Sequence, residues 1–277
     1  MTTTPATATQ PTDLMTLTDR PPTRSKSDDA RAVLAALRSD WIKASTVRAN
    51  RALLLLTIAG GVLVSWAVSV LVTDQVQYVA EVGFFWTSVT SMLAAIGGVL
   101  LFGSEVQHGT LASAVAARPS RWVLALSKTL TAAVLGLVLG ALGLAAGFGG
   151  AVIGGLEAGD MSALVGTIGW ALLFTTLSGV LGLGIAMIVR NSTAAIGGFL
   201  VWGFVLENLF RLFLAEEIAR FLPFVAGNHL LAYANDLESP HALAIALTRP
   251  ENALVFGAYT AVALVVGAVL LYRRDAD

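Results

Sequence analysis

The sequence predicts an all-helical, polytopic integral membrane protein of six transmembrane helices, and three observations predict it. Apolar residues fill 56% of the 277 positions and charged residues only 13%, with a mean hydropathy of +0.77, which excludes an ordinary soluble domain. Five uncharged runs, 53–72, 82–102, 129–156, 161–189 and 253–272, are each long enough to cross a bilayer. A helix needs about 20 apolar residues to span roughly 30 Å of hydrocarbon. A sixth run, 193–214, carries Glu207 and Arg211. Finally, all but three of the 17 Lys and Arg fall on one side of these runs.

That asymmetry sets the expected orientation. Arg20, Arg24, Lys26, Arg31, Arg38, Lys43, Arg48 and Arg51 precede span 1. Arg118, Arg121 and Lys128 lie between spans 2 and 3, Arg190 between spans 4 and 5, and Arg273 and Arg274 follow span 6. The other face holds only Arg211, Arg220 and Arg249. Both termini are expected in the cytoplasm, the protein in a bacterial plasma membrane. Arg outnumbers Lys, and Ala, Gly, Val and Leu dominate, as in a GC-rich bacterial genome. The net charge of -1 argues neither for nor against nucleic acid, and no such partner is expected. With no cysteine, neither a disulfide nor a thiolate metal site can form.

Taken in order, residues 1–29 are polar and rich in Thr and Pro, and are expected to be a disordered cytoplasmic tail. They lack the short apolar core of a secretory signal. Residues 30–51 form an amphipathic helix, with Asp28 or Asp29 as its cap and Val33, Leu34, Leu37, Trp41 and Ile42 on one face. Arg31, Arg38, Asp40 and Lys43 take much of the rest, which suits a helix lying in the cytoplasmic interface. It serves either as an elbow for span 1 or as a partner surface.

Residues 52–277 make up the six-span domain. Its outer connections after spans 1 and 3 are short and acidic, whereas 215–252 is too apolar for a free loop and too interrupted for a span. Short helices on the outer leaflet, or dipping into the bundle, fit it. Gly136, Gly140, Gly143 and Gly147 in span 3, Gly179, Gly182 and Gly184 in span 4, and the pairs Gly60–Gly61, Gly97–Gly98 and Gly197–Gly198 are spaced for close helix packing.

Between spans 2 and 3 the chain reads GSEVQHGTLASAVAARPSRW. Gly109 is placed to end span 2 in a left-handed cap, and Thr110 to cap a short helix carrying Leu111 and Val115. Pro119 ends that helix and Ser120 caps span 3. A short apolar helix on the cytoplasmic face needs a partner or the membrane surface.

Here the sequence resembles the membrane subunit of type-2 ATP-binding-cassette exporters, in particular six-span permeases of actinobacteria. Ser104, Glu105, Gly109 and Thr110 match the family's Ser-Glu-Tyr-x-x-Gly-Thr pattern, with Val106 in place of the aromatic. Further similarities are SKTL (from Ser127), LGLGIAMIVRNSTAAIG (from Leu181), ENLF (from Glu207), the LPF of the last loop and the closing RRDA. The resemblance implies a permease homodimer coupled through segment 103–121 to a separate cytoplasmic ATP-binding subunit. Glu105, Gly109, Thr110, Leu111 and Val115 would then be coupling residues. ATP would be used by the partner, since this chain has no Gly-x-x-x-x-Gly-Lys-Ser/Thr phosphate loop and binds no cofactor directly.

Other ionisable groups have competing readings. Glu105 is either an ionic latch or a carboxylate satisfied by a helix N-terminus or an Arg of the preceding helix. Lys128 is close enough to the cytoplasmic end to snorkel. Glu207 and Arg211, four apart, can pair, either on the transport path or as an ion pair at the outer end of span 5. Glu216, Glu217, Arg220, His229 and His241 raise an intramembrane metalloprotease alternative. Such enzymes hold these residues within facing spans, whereas this set lies on the outer segment, and with no second His near His108 no metal site is expected. A non-transporting anchor or assembly protein is the remaining alternative.

Overall fold

The computed structural model describes residues 33–35, 37–42, 48–72, 76–107, 109, 121–231 and 240–274. Six helical segments long and apolar enough to cross a membrane run through it, at Arg48–Leu71, Val79–Gln107, Val123–Ile153, Leu164–Val189, Ser192–Phe213 and Arg249–Arg273. All regular elements among the described residues are helical, apart from one isolated bridge between Tyr78 and Glu157 that ties the first and third connections together. Each of the six expected spans is thus present. The third begins earlier than its uncharged run, at Arg121, because a helix continues through Arg121 and Lys128 with no breaker between them.

Span 2 is not continuous. Val79–Phe85 and Thr87–Gln107 are separated at Trp86, whose indole donates to the Thr57 carbonyl of span 1 at 3.1 Å. The turn from span 4 to span 5 is made by Arg190, at φ 55, and by Asn191, whose side chain accepts from the Ala194 amide at 3.0 Å. Span 5 contains one π-helical turn, Trp202–Leu206.

The heaviest packing joins parallel neighbours: span 2 with span 4, span 1 with span 3, and span 4 with span 6. Small residues make this possible. A Cβ added at Gly98 would overlap the Gly179 carbonyl, and one at Gly182 would overlap that of Ala95, so spans 2 and 4 touch backbone to backbone. Gly197 and Gly198 differ from the packing expectation, since a Cβ at either meets nothing within 4 Å. They lie in span 5, which packs lightly. More than half of spans 2, 3 and 4 is buried, against less than a third of spans 1, 5 and 6.

Segment 215–252 holds short helices, as its interrupted pattern suggests: Glu216–Ala219, Pro223–His229 and Pro240–Ile245. The middle one enters the bundle, burying Pro223 through Gly227, with Phe224 against the rings of Phe199 and Phe256. Of the amphipathic segment before span 1, residues 33–35 and 37–42 are helical. Leu34, Trp41 and Ile42 face outward and Asp40 is buried, an apolar-out arrangement suited to lipid. The tail 1–29 lies outside the described residues.

Candidate functional site

Two polar clusters sit at opposite ends of the bundle. The first is at the end where span 1 begins and span 6 finishes. Glu105 occupies the last turn of span 2, and Lys128 the second turn of span 3. Their charged groups are 2.8 Å apart and almost wholly buried. Asp40 of the preceding helix approaches the same ammonium at 3.9 Å and accepts from the Ser127 hydroxyl at 2.9 Å. The Leu101 carbonyl, one turn before Glu105, lies 3.5 Å from the Lys128 nitrogen. Three separate elements therefore converge on one buried cation.

This geometry corrects two expectations. Lys128 does not snorkel; only 2% of it is exposed, because two carboxylates meet it inside the bundle. Glu105 is paired with this lysine of span 3, a partner that the sequence reading does not name. Gly109 has the left-handed φ of +67 expected of the residue that ends span 2, with its amide donating to the Val106 carbonyl. Thr110, Leu111 and Val115 fall outside the described residues, as do Pro119 and Ser120. The sequence reading missed Asp40 as a buried group. Its charge assigned it to the solvated face, and only its position beside outward Trp41 could have suggested otherwise.

The second cluster is at the far end. Glu207 is 2% exposed, and its two oxygens are occupied, one by the Val225 amide and the other by the Trp202 indole at 3.1 Å. The π turn brings this about: the Glu207 amide reaches back five residues to the Trp202 carbonyl, which places the carboxylate at the start of the inserted helix Pro223–His229. A carboxylate there satisfies amides that no helical carbonyl can reach. The same inserted helix is held near its other end by Ser88, whose hydroxyl donates to Asn228 Oδ1 at 2.6 Å.

Glu207 thus corrects a third expectation. Among the described residues it forms no ion pair with Arg211; its partners are Val225 and Trp202. Arg211 is instead exposed, beside a recess of about 450 Å³ between span 2, span 5 and the inserted helix.

The outer residues raised as a metalloprotease alternative do not assemble. His241 contacts Glu217 at 3.1 Å, whereas His229 lines the recess beside Arg211. Arg220 donates to the Ile245 carbonyl at 2.7 Å. Glu217 is held below the usual glutamate value, first by a backbone hydrogen bond at its own position and then by the His241 ring. Among the described residues, no group of three His, Asp or Glu side chains is placed to hold a metal.

No protein-family model matches this chain, and no curated protein matches it.

Proposed function

We propose that the chain is the membrane subunit of an ATP-driven exporter, a homodimer in a bacterial plasma membrane with both termini in the cytoplasm. A separate cytoplasmic ATP-binding subunit would dock on segment 103–121. The observation that carries the reading is the buried Glu105–Lys128 pair, because Glu105 lies at the start of that segment and Lys128 just beyond its end. A force on the segment would reach the ends of spans 2 and 3 together, and Asp40 adds the N-terminal helix to the same joint. A chain without a phosphate loop needs an external source of motion, and a coupled pair of spans is what such a source would drive. The Lys and Arg asymmetry and the resemblance in segment 103–121 support the same assignment.

The test is purification from the native host in mild detergent, with identification of any ATPase that accompanies the chain. Replacing both Leu111 and Val115 by Asp should abolish the association, since a charge buried without a partner costs about 3–5 kcal/mol. Retention of an active ATPase by that variant would place docking elsewhere. Absence of any ATPase from the wild-type preparation would favour the non-transporting anchor.

A further inference from the structure

We propose that the far-end recess binds the headgroup of an anionic phospholipid, with the Arg211 guanidinium on its phosphate. The inference goes beyond export and does not depend on it.

Arg211 forms neither a hydrogen bond nor an ion pair with any described residue, and Glu207 acts on it only from beyond 4.0 Å. Glu207 cannot turn toward a ligand without releasing Val225 and Trp202, so its carboxylate serves as a wall. An exposed arginine at the end of a membrane span faces the lipid headgroups. Its planar fork of N–H donors fits the oxygens of a phosphate bidentately.

The shape of the surroundings selects an amphiphile. Gly203 and Arg211 line the same recess eight positions apart, which is roughly 12 Å along a helix. Arg211 lies within a turn of the end of span 5 at Phe213, hence at headgroup depth. The other end of the recess meets Val89 and Phe224, at the depth of acyl chains. On the adjoining face of the same turns, a groove of about 580 Å³ is lined by Phe204, Val205, Leu209 and Leu212. Both cavities include Asn208 and Arg211. A recess that carries Asn208, Asn228 and His229 among apolar walls and a groove lined by apolar side chains therefore meet at one cation, matching the phosphate and chains of a lipid.

Native mass spectrometry of the full chain in mild detergent, titrated with phosphatidylglycerol and phosphatidylcholine of identical chains, tests the inference. Both lipids offer a phosphate, but the choline cation of phosphatidylcholine opposes Arg211, so wild type should prefer phosphatidylglycerol by roughly tenfold. Arg211→Gln should lose the preference and Arg211→Lys should keep part of it. Val89→Phe narrows the deep end with Arg211 intact, and should weaken phosphatidylglycerol binding in a protein whose fold is unchanged by thermal melting. Equal binding of both lipids by wild type would overturn the proposal. So would an unchanged preference in Arg211→Gln, or undiminished binding by folded Val89→Phe. Inorganic phosphate at millimolar concentration should not displace the lipid; displacement would make this a site for a free anion instead.

Discussion

Lys128 and Glu207 were the least legible residues in the sequence, and for one physical reason. Each has a partner on another element, Asp40 and Glu105 for Lys128 and Val225 for Glu207, which local spacing cannot reveal. Lys128 lies near its span's end, so a flexible stem suggested escape to water; only the approach of Asp40 and Glu105 makes burial tolerable. Replacing it by Met should therefore leave two carboxylates buried beside an apolar group and destabilise the protein by about 3–5 kcal/mol. Adding Glu105→Gln to Lys128→Met should recover part of that loss, as thermal melting in detergent would show. Melting of the single variant at the wild-type temperature would mean the cluster is hydrated. For Glu207, the Arg211 four residues on was the obvious partner, and the real ones come from a π turn and a helix 16 positions away. Glu207→Gln should lower stability because Gln has one acceptor oxygen for two donors, a loss of about 1–3 kcal/mol. Arg211→Gln should not rescue it. Full rescue by the double change would restore the ion-pair reading.

At the scale of elements, the sequence carried most of the fold. Five spans needed nothing but length and lack of charge, and the small residues of spans 2 and 4 announced close packing. Gly98→Ala or Gly182→Ala should separate these spans, since the added methyl meets backbone that cannot move aside. We expect a loss of about 1–3 kcal/mol for such overpacking, read as a lower melting temperature, whereas Gly197→Ala should be neutral or slightly stabilising. Equal effects at all three positions would deny the backbone contact. What remained illegible was the break at Trp86, which depends on a tertiary hydrogen bond to Thr57 and leaves no local pattern. The interrupted apolar pattern of 215–252 allows short helices either on the outer leaflet or in the bundle, and the Val225 bond to Glu207 fixes the second for Pro223–His229.

For the whole molecule, the charge asymmetry fixes an expected orientation that labelling can check. The chain has no cysteine of its own, so single cysteines report cleanly. Ala158 and Thr193 are exposed positions on opposite ends of the bundle. Gly159 is unsuitable, because its φ of +71 and the nearby Tyr78 ring would strain any side chain. In intact cells, an impermeant reagent should label Ala158→Cys and spare Thr193→Cys. Equal labelling of both would sink the six-span topology.

The pairing of parallel neighbours also sets an order of events during synthesis. Spans 1 and 2 find their main partner not in the next helix to leave the ribosome but in the one after it: span 1 waits for span 3, and span 2 for span 4. Asp40 and Glu105 are both made before Lys128 exists to meet them. A nascent chain that has delivered span 2 and not yet span 3 cannot close this joint, because its lysine has still to be made.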